Sequence, residues 1–239
     1  MGNDMEWLAW PVALNEFQLR QFARYYEMLV DWNERINLTG IVDEDEVYIK
    51  HFYDSLAVAK LPVWQEAARQ GGRAIDIGSG AGFPGIPLAI AYPNMSFVLC
   101  DALQKRIHFL QEVCSDLGLN HVECVHGRSE DMGRDSAWRG TFDVALARAV
   151  ARANVLMEYM APFLRPGGAG ICYKGPSFVH EEFDDAKRAA TKLHCRLLDP
   201  LTYDLPRGLG NRTFASFIQL QLVSKSYPRR AGVPSKQPL

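Results

Sequence analysis

An acid and three glycines alternate in one short stretch of this chain, Asp76-Ile77-Gly78-Ser79-Gly80-Ala81-Gly82, and Phe83-Pro84-Gly85 follows. Glycine accepts positive φ and lets a backbone approach a ligand closely. A helix beginning just after such a turn offers unpaired N–H groups at its start. The spacing therefore describes a cradle for a small, nucleotide-like ligand. Gly80 to Gly85 also fits the Gly-x-Gly-x-x-Gly fingerprint of dinucleotide-binding folds. Asp76 argues against a pyrophosphate at this turn, because like charges repel.

An acid at that position suits a cationic methionine moiety, attracted directly or through water. Asp-x-Gly-x-Gly-x-Gly is the loop beneath S-adenosylmethionine in Rossmann-like methyltransferases, so Asp76, Gly78, Gly80 and Gly82 favour that cofactor over NAD. A Walker loop is excluded, since no Gly-Lys-Ser/Thr follows. Asp101 stands at the end of the next apolar run, at an offset where an acid accepts hydrogen bonds from ribose hydroxyls. Gly127-Arg128-Ser129-Glu130 follows a third run, and Ser129 and Glu130 there can meet an adenine. Arg148, after a fourth run, falls where the reactive end of the ligand would lie; its plainer reading is a structural or surface arginine. His51 and Asp54, three apart on a helix, share a face and read as a structural pair joining helices to a sheet rather than as catalysts. No nucleophile, base and orienter group into a hydrolytic triad.

These residues need elements to position them. Leu14 to Trp32 carries Phe17, Phe22, Tyr25, Tyr26, Leu29 and Trp32 at helical spacing. Asn15 with Gln18 three residues on is a weak capping signal. A short acidic helix over residues 43–46 and a helix over residues 50–60 complete an all-helical start, which Gly71-Gly72 ends. Strands and helices then alternate, the pattern of a mostly parallel sheet covered on both faces. The strands expected are residues 74–77, 96–100, 122–126, 142–147 and 168–173. Helices are expected over 85–91, 104–117, 129–132, 153–163 and 178–193. Two final strands, in residues 194–203 and 213–223, suggest an antiparallel pair. The fold expected is α/β: a Rossmann-like class I methyltransferase sheet with its last strand antiparallel and a helical N-terminal extension. The domain boundaries expected are 1–70 for the helical region, 71–223 for the cofactor-binding domain and 224–239 for a basic, irregular tail.

Composition bounds the rest. The chain has 239 residues, and no run of about 18 apolar residues suggests a membrane span. Its start lacks a basic stretch followed by an apolar one, so no secretory signal is expected. Met5 offers an alternative start to Met1, and the sequence does not choose between them. Five cysteines (100, 114, 124, 172 and 195), odd in number and never in a Cys-x-x-Cys pair, argue for free thiols in a reducing cytoplasm and against a zinc site. Residues 1–66 hold twelve acids against five bases, whereas residues 205–239 hold six bases and no acid. A basic end on a near-neutral body suggests an anionic partner touched at one place.

Taken together the motifs resemble one family. The chain is similar to the RsmG proteins, also called glucose-inhibited division protein B, from about Phe17 to Leu239. The resemblance rests on Trp32-Asn33-Glu34-Arg35-Ile36-Asn37-Leu38-Thr39, on His51-Phe52-Tyr53-Asp54-Ser55-Leu56 and on Asp76 to Gly85 with its Phe83-Pro84. It continues through Asp101 to Leu110, Gly127-Arg128-Ser129-Glu130, Arg148-Ala149-Val150-Ala151 and Tyr173-Lys174-Gly175, and ends with Tyr227-Pro228-Arg229-Arg230-Ala231-Gly232-Val233-Pro234. The glycine loop is generic, but the asparagine-rich turn, Phe83-Pro84 and the Tyr-Pro-Arg-Arg end are specific. Ser129 departs from the family, where that position is more often apolar; a backbone contact would survive the change.

The resemblance implies a bacterial enzyme that forms 7-methylguanosine in 16S ribosomal RNA of the small subunit, using S-adenosylmethionine. It implies cofactor contacts at Gly78, Phe83, Ser129, Glu130 and Arg148, with Lys174, Arg229, Arg230 and Lys236 as candidates for RNA. The partner expected is 16S rRNA, the small subunit or an assembly intermediate; a monomer in the cytoplasm is expected, with no membrane. Guanine N7 attacks through its lone pair and loses no proton, so the missing triad agrees with this chemistry. Arg148 is then the candidate for orienting the cofactor end or the base. Three rivals remain at this level: a small-molecule methyltransferase, an NAD-dependent oxidoreductase and a non-catalytic RNA-binding protein with a retained pocket.

Overall fold

A computed structural model describes residues 8–239; the choice between Met1 and Met5 lies outside them. Helix α1 (Glu16–Ile36) opens with a full capping box: the Asn15 side chain accepts from Gln18 N, and the Gln18 side chain accepts from Asn15 N. Asn37 in the left-handed region, with φ 49°, ends it. After α2 (Glu44–Val47) the chain runs through a π-helical turn (Tyr48–Tyr53), α3 (Asp54–Leu56), a 3₁₀ turn (Ala57–Lys60) and α4 (Pro62–Arg69). The sequence predicts one helix over 50–60. The chain does stay helical there, but its hydrogen-bond ladder changes type twice, and tertiary contacts described below accompany the widened turn.

The sheet begins with β1 (Arg73–Ile77), then α5 (Gly85–Ala91), β2 (Ser96–Asp101), α6 (Gln104–Asp116), β3 (Val122–His126), α7 (Ser129–Met132), β4 (Phe142–Arg148), α8 (Ala153–Met160) and β5 (Leu164–Lys174). These five strands are parallel in the order β3-β2-β1-β4-β5. Parallel strands buried on both faces read as near-continuous apolar runs, and Ile75, Val98 and Ala145 meet that rule, all fully or almost fully buried. Helices α9 (Phe178–Glu181) and α10 (Phe183–Lys192) replace the single helix expected over 178–193, with Glu182 at φ −126° between them. The two final strands expected are three: β6 (Cys195–Leu197), β7 (Leu201–Asp204) and β8 (Asn211–Gln219). Pro200 lies in the break between β6 and β7 and has no N–H to give a ladder. Strand β8 runs antiparallel to β5 and carries β6 and β7 on its far edge.

Two apolar layers close the sheet. One is shared by α1, the residues around Phe52, α5 and α6, so the helical start and the sheet have a common core. The other joins α8 and α10. The segment expected to be irregular contains a short helix, α11 (Val233–Lys236). It is held to the body: Arg139 donates to the carbonyls of Val223, Ser224 and Tyr227, and Arg134 to that of Pro228. No described helix is long and apolar enough to cross a membrane.

Candidate functional site

The site lies where ligands sit in open α/β sheets, at the carboxyl ends of the parallel strands. After β1 the chain turns sharply, and the N–H groups of Gly78 and Ser79 both donate to Cys100 O, at 2.9 and 3.0 Å. Gly78 adopts φ +70°, and a Cβ there would stand 2.8 Å from Val150 Cγ2. Gly82, at φ +99°, is held just as closely, because a Cβ would meet both Tyr25 Oη and Ile86 at 2.7 Å. Tyr25 of α1 donates to Ala81 O, so the first helix pins the loop from below.

Asp76 lies under this loop. It is 1% exposed, and its Oδ2 accepts from Gly85 N at 3.0 Å, which anchors the start of α5. Its Oδ1 is buried without a partner. Burial pushes its pKa up to about 7, with the Gly85 N–H and the Arg148 charge pulling the other way. The carboxylate expected to attract a methionine moiety directly or through water thus lies beneath the turn, with one oxygen on Gly85 N.

Asp101 ends β2, also buried. Its Oδ2 accepts from Gly80 N at 3.0 Å and from Arg106 at 3.2 Å, and its Oδ1 from Leu103 N at 2.9 Å. It forms the floor of a cleft of 480 Å³ bounded by Gly78 to Ala81, Phe83, Arg148 and Val150. A smaller hollow of 320 Å³ continues past Asp101 and Ala102 to Gly127, Ser129 and Glu130. Glu130 is committed on both sides: Oε2 accepts from Ser129 Oγ at 3.2 Å, and Oε1 from Gly232 N at 3.1 Å. Through Gly232 and Ser235 the C-terminal segment thus forms one wall of that hollow, Ser235 bonding Tyr159 Oη at 2.8 Å.

At the other end of the cleft stands Arg148, the last residue of β4. Its guanidinium donates to Asp54 Oδ2 at 3.0 Å and to Lys50 O at 3.2 Å, and lies 3.2 Å from His51 Nδ1. It also sits 4.9 Å over the Phe83 ring, on which His51 stacks at 4.4 Å. Burial, and then the Arg148 charge, lower the His51 pKa to about 3. His51 is therefore neutral. Nδ1 lies 3.2 Å from both the Arg148 guanidinium and Lys50 O, and Nε2 lies 2.9 Å from Thr39 Oγ1; the guanidinium favours the tautomer with the proton on Nε2. Asp54, 2% exposed, accepts from Tyr203 Oη at 2.7 Å on its other oxygen. The pair read as joining helices to sheet meets in this way through Arg148. The π-helical turn carries Lys50 and His51, and such turns recur at functional sites.

Beyond Arg148, His51 and Ala149, which it shares with the cleft, opens a second chamber of 390 Å³. Lys50, Lys174 and Arg212 bring cations to it, and Asp54 and Glu182 bring carboxylates. The four sequence candidates for RNA are divided. Lys174 is in this chamber, paired with Glu182 at 2.9 Å. Arg229 has its guanidinium on Glu158, which is fully buried. Arg230 and Lys236 are exposed on the C-terminal segment. Thr39, Glu182, Tyr203 and Arg212 were not singled out from the sequence. Thr39 lay inside a quoted motif; the other three had no local signal. Among the described residues no group of His, Cys, Asp and Glu could hold a metal ion.

The donor set fits S-adenosylmethionine. Gly78 and Gly80 leave room that a Cβ would strain, an acid closes β2 for a ribose, and Ala102, Val150 and Ile77 offer apolar surface for a flat base beside Ser129 and Glu130. Two acids at the loop, Asp76 and Asp101, disfavour a pyrophosphate.

Comparison with known proteins agrees. Residues 18–201 match the family described as rRNA small subunit methyltransferase G. Curated proteins named ribosomal RNA small subunit methyltransferase G from Lactococcus lactis and Leuconostoc mesenteroides are 43% and 45% identical to this chain. Each alignment covers 95% of this chain and 94% of the relative. Among solved structures, cofactor-bound Rv0187 from MTB aligns over 84% of this chain and 90% of its own, with TM-score 0.56 and 18% identity. An O-methyltransferase from Bacillus cereus in complex with SAH aligns over 82% and 90%, with TM-score 0.54 and 16% identity. These two share the fold.

Proposed function

This chain belongs to the rRNA small subunit methyltransferase G family, and from that premise we propose that it methylates N7 of a guanosine in 16S rRNA of the small ribosomal subunit. It uses S-adenosylmethionine. The observation that carries the reading is the junction at Arg148: one wall, made of Arg148, His51 and Ala149, separates a glycine-cradled cofactor cleft from a chamber rich in cations.

When bound, the cofactor supplies an electrophilic methyl group on a sulfonium. Asp101 takes the ribose hydroxyls, exchanging some of its contacts to Gly80 and Arg106. Ser129 and Glu130 meet the adenine edge, Gly78 gives the backbone room, and Phe83 closes the reactive end. Arg148, held by Asp54 and Lys50 O, orients the groups that meet across the shared wall. Guanine N7 presents a lone pair and no proton, so neutral His51 is needed as a wall and not as a base. Catalysis then rests on alignment, and a base displaced from its stack is one that can be aligned so.

Lys174, Arg230 and Lys236 contact RNA, the last two as exposed charges beside the adenine hollow. Arg229 contributes by holding the C-terminal segment on Glu158. An rRNA substrate supports a cytoplasmic location. The test is transfer of labelled methyl from S-adenosylmethionine to small subunits, and to their free rRNA, from cells lacking this protein, followed by mapping of the modified base. No incorporation in either form would sink the proposal.

A further inference from the structure

Guanine offers acceptors, O6 and N7, on one edge and donors, N1–H and the N2 amine, on another. If N7 is turned towards the wall shared with the cofactor cleft, the donor edge is turned away from it. The chamber must then provide an acceptor on its far side. Two carboxylates line it. Asp54 already has a donor on each oxygen, Arg148 on one and Tyr203 on the other, with Arg212 Nε 3.7 Å from the second. Glu182 does not. Its Oε2 takes Ala153 N at 2.6 Å and Lys174 Nζ at 2.9 Å, while its Oε1 has no hydrogen-bond partner among the described residues. Glu182 lines the chamber without touching the cofactor cleft, and Lys174 and Gly175 belong to the same far side. The chain also breaks a helix to put it there: φ −126° at Glu182 separates α9 from α10.

We propose that Glu182 is the residue that selects guanine, its Oε1 accepting from the N1–H and N2 amine donors while Oε2 stays fixed by Ala153 and Lys174. The inference rests on the guanine N7 reading above. It predicts a particular behaviour for Glu182→Gln. The oxygen of the amide is pinned at the Oε2 position, because both partners there are donors. The amide nitrogen then occupies the Oε1 position and turns the acceptor into a donor. The cap on α8 survives and the reading of the base does not.

The experiment uses the full-length protein and small subunits reconstituted with rRNA carrying guanosine, inosine or 2-aminopurine at the position mapped for the wild type. Inosine lacks the N2 amine and 2-aminopurine lacks N1–H. The wild type should favour guanosine over at least one analogue by about tenfold to a hundredfold in kcat/KM, as expected when a charged acceptor loses its donor. In Glu182→Gln that preference should fall to within about threefold, with S-adenosylhomocysteine affinity unchanged. An unaltered preference in the variant overturns the role of Glu182, as does a wild type that accepts both analogues equally. If Glu182→Gln does not fold, Glu182→Asp, which retracts the carboxylate by one methylene, must lose the preference instead. Failure of the wild type to methylate guanosine at all is a different result and strikes the N7 reading itself.

Discussion

The glycine cradle and the Arg148 junction face each other across one cleft and are made in opposite ways. The cradle is local: residues 76–85 form it, its contacts are backbone N–H groups, and its side chains are small or hidden. The junction brings Arg148 and Tyr203 from remote parts of the chain to Thr39, His51 and Asp54, and it depends on side-chain charges removed from water. Backbone geometry tolerates little addition, and buried charge tolerates little subtraction. The two regions should therefore fail differently.

The largest effect is expected at the junction. Arg148→Ala removes the nearest cation of the buried Asp54 carboxylate and leaves only Arg212, 3.7 Å away; breaking a buried pair from one side costs up to about 3–5 kcal/mol, read by urea unfolding. Methyl transfer should be lost even where the variant folds. An unfolding curve within error of the wild type would mean that the junction is a solvated surface contact. Next comes the cradle. In Gly85→Ala the new Cβ would lie 2.1 Å from Leu99 Cδ2 and 2.9 Å from Asp76 Oδ2, a clash of the overpacking kind that costs about 1–3 kcal/mol. S-adenosylhomocysteine affinity, measured by calorimetry, should fall with it.

pH separates the two regions by sign. His51, depressed to about 3, stays neutral in the fold while the unfolded chain takes up a proton near 6.5. Stability is complete above pH 6.5 and is lost as pH falls towards 3. Asp76, raised to about 7 from 3.8, favours the fold most below pH 3.8, and that contribution is lost as pH rises through 7. His51→Gln should flatten the acid limb of the stability profile and Asp76→Asn the limb between pH 4 and 7. A profile of the wrong slope in either window breaks the contrast between a buried base and a buried acid. The smallest effect is expected outside both regions. Arg230→Ala or Lys236→Ala should leave stability within about 0.5 kcal/mol and reduce the slope of log affinity for rRNA against log salt by about one; an unchanged slope would remove that residue from the RNA surface.

The cradle was legible because its requirements are local. Positive φ at Gly78, Gly80 and Gly82 and a close approach at Gly85 each demand glycine, so their spacing is visible in the chain. The parallel core strands were legible because burial on both faces writes continuous apolar runs. What the sequence left open has physical causes as well. Asp76 is an acid at a strand end in any orientation, and only packing sets it beneath the loop on Gly85 N. Residues 178–193 have helical character throughout; the break falls at Glu182, whose contacts to Lys174 and to Ala153, 29 residues away, no local pattern announces. The basic end was expected to be irregular, since nothing near Arg229 in the chain announces Glu158.

By itself the sequence determined the layered α/β fold, the position of the cofactor loop and, through its family motifs, the methyl donor, because glycine placement and apolar periodicity act over a few residues. Tertiary structure alone decided that Arg148 is clasped by Asp54 and neutral His51, that Glu130 holds the C-terminal segment through Gly232, and that Glu182 lines the second chamber beside Lys174. Those facts depend on which charges are buried together, and burial is a property of the packed chain.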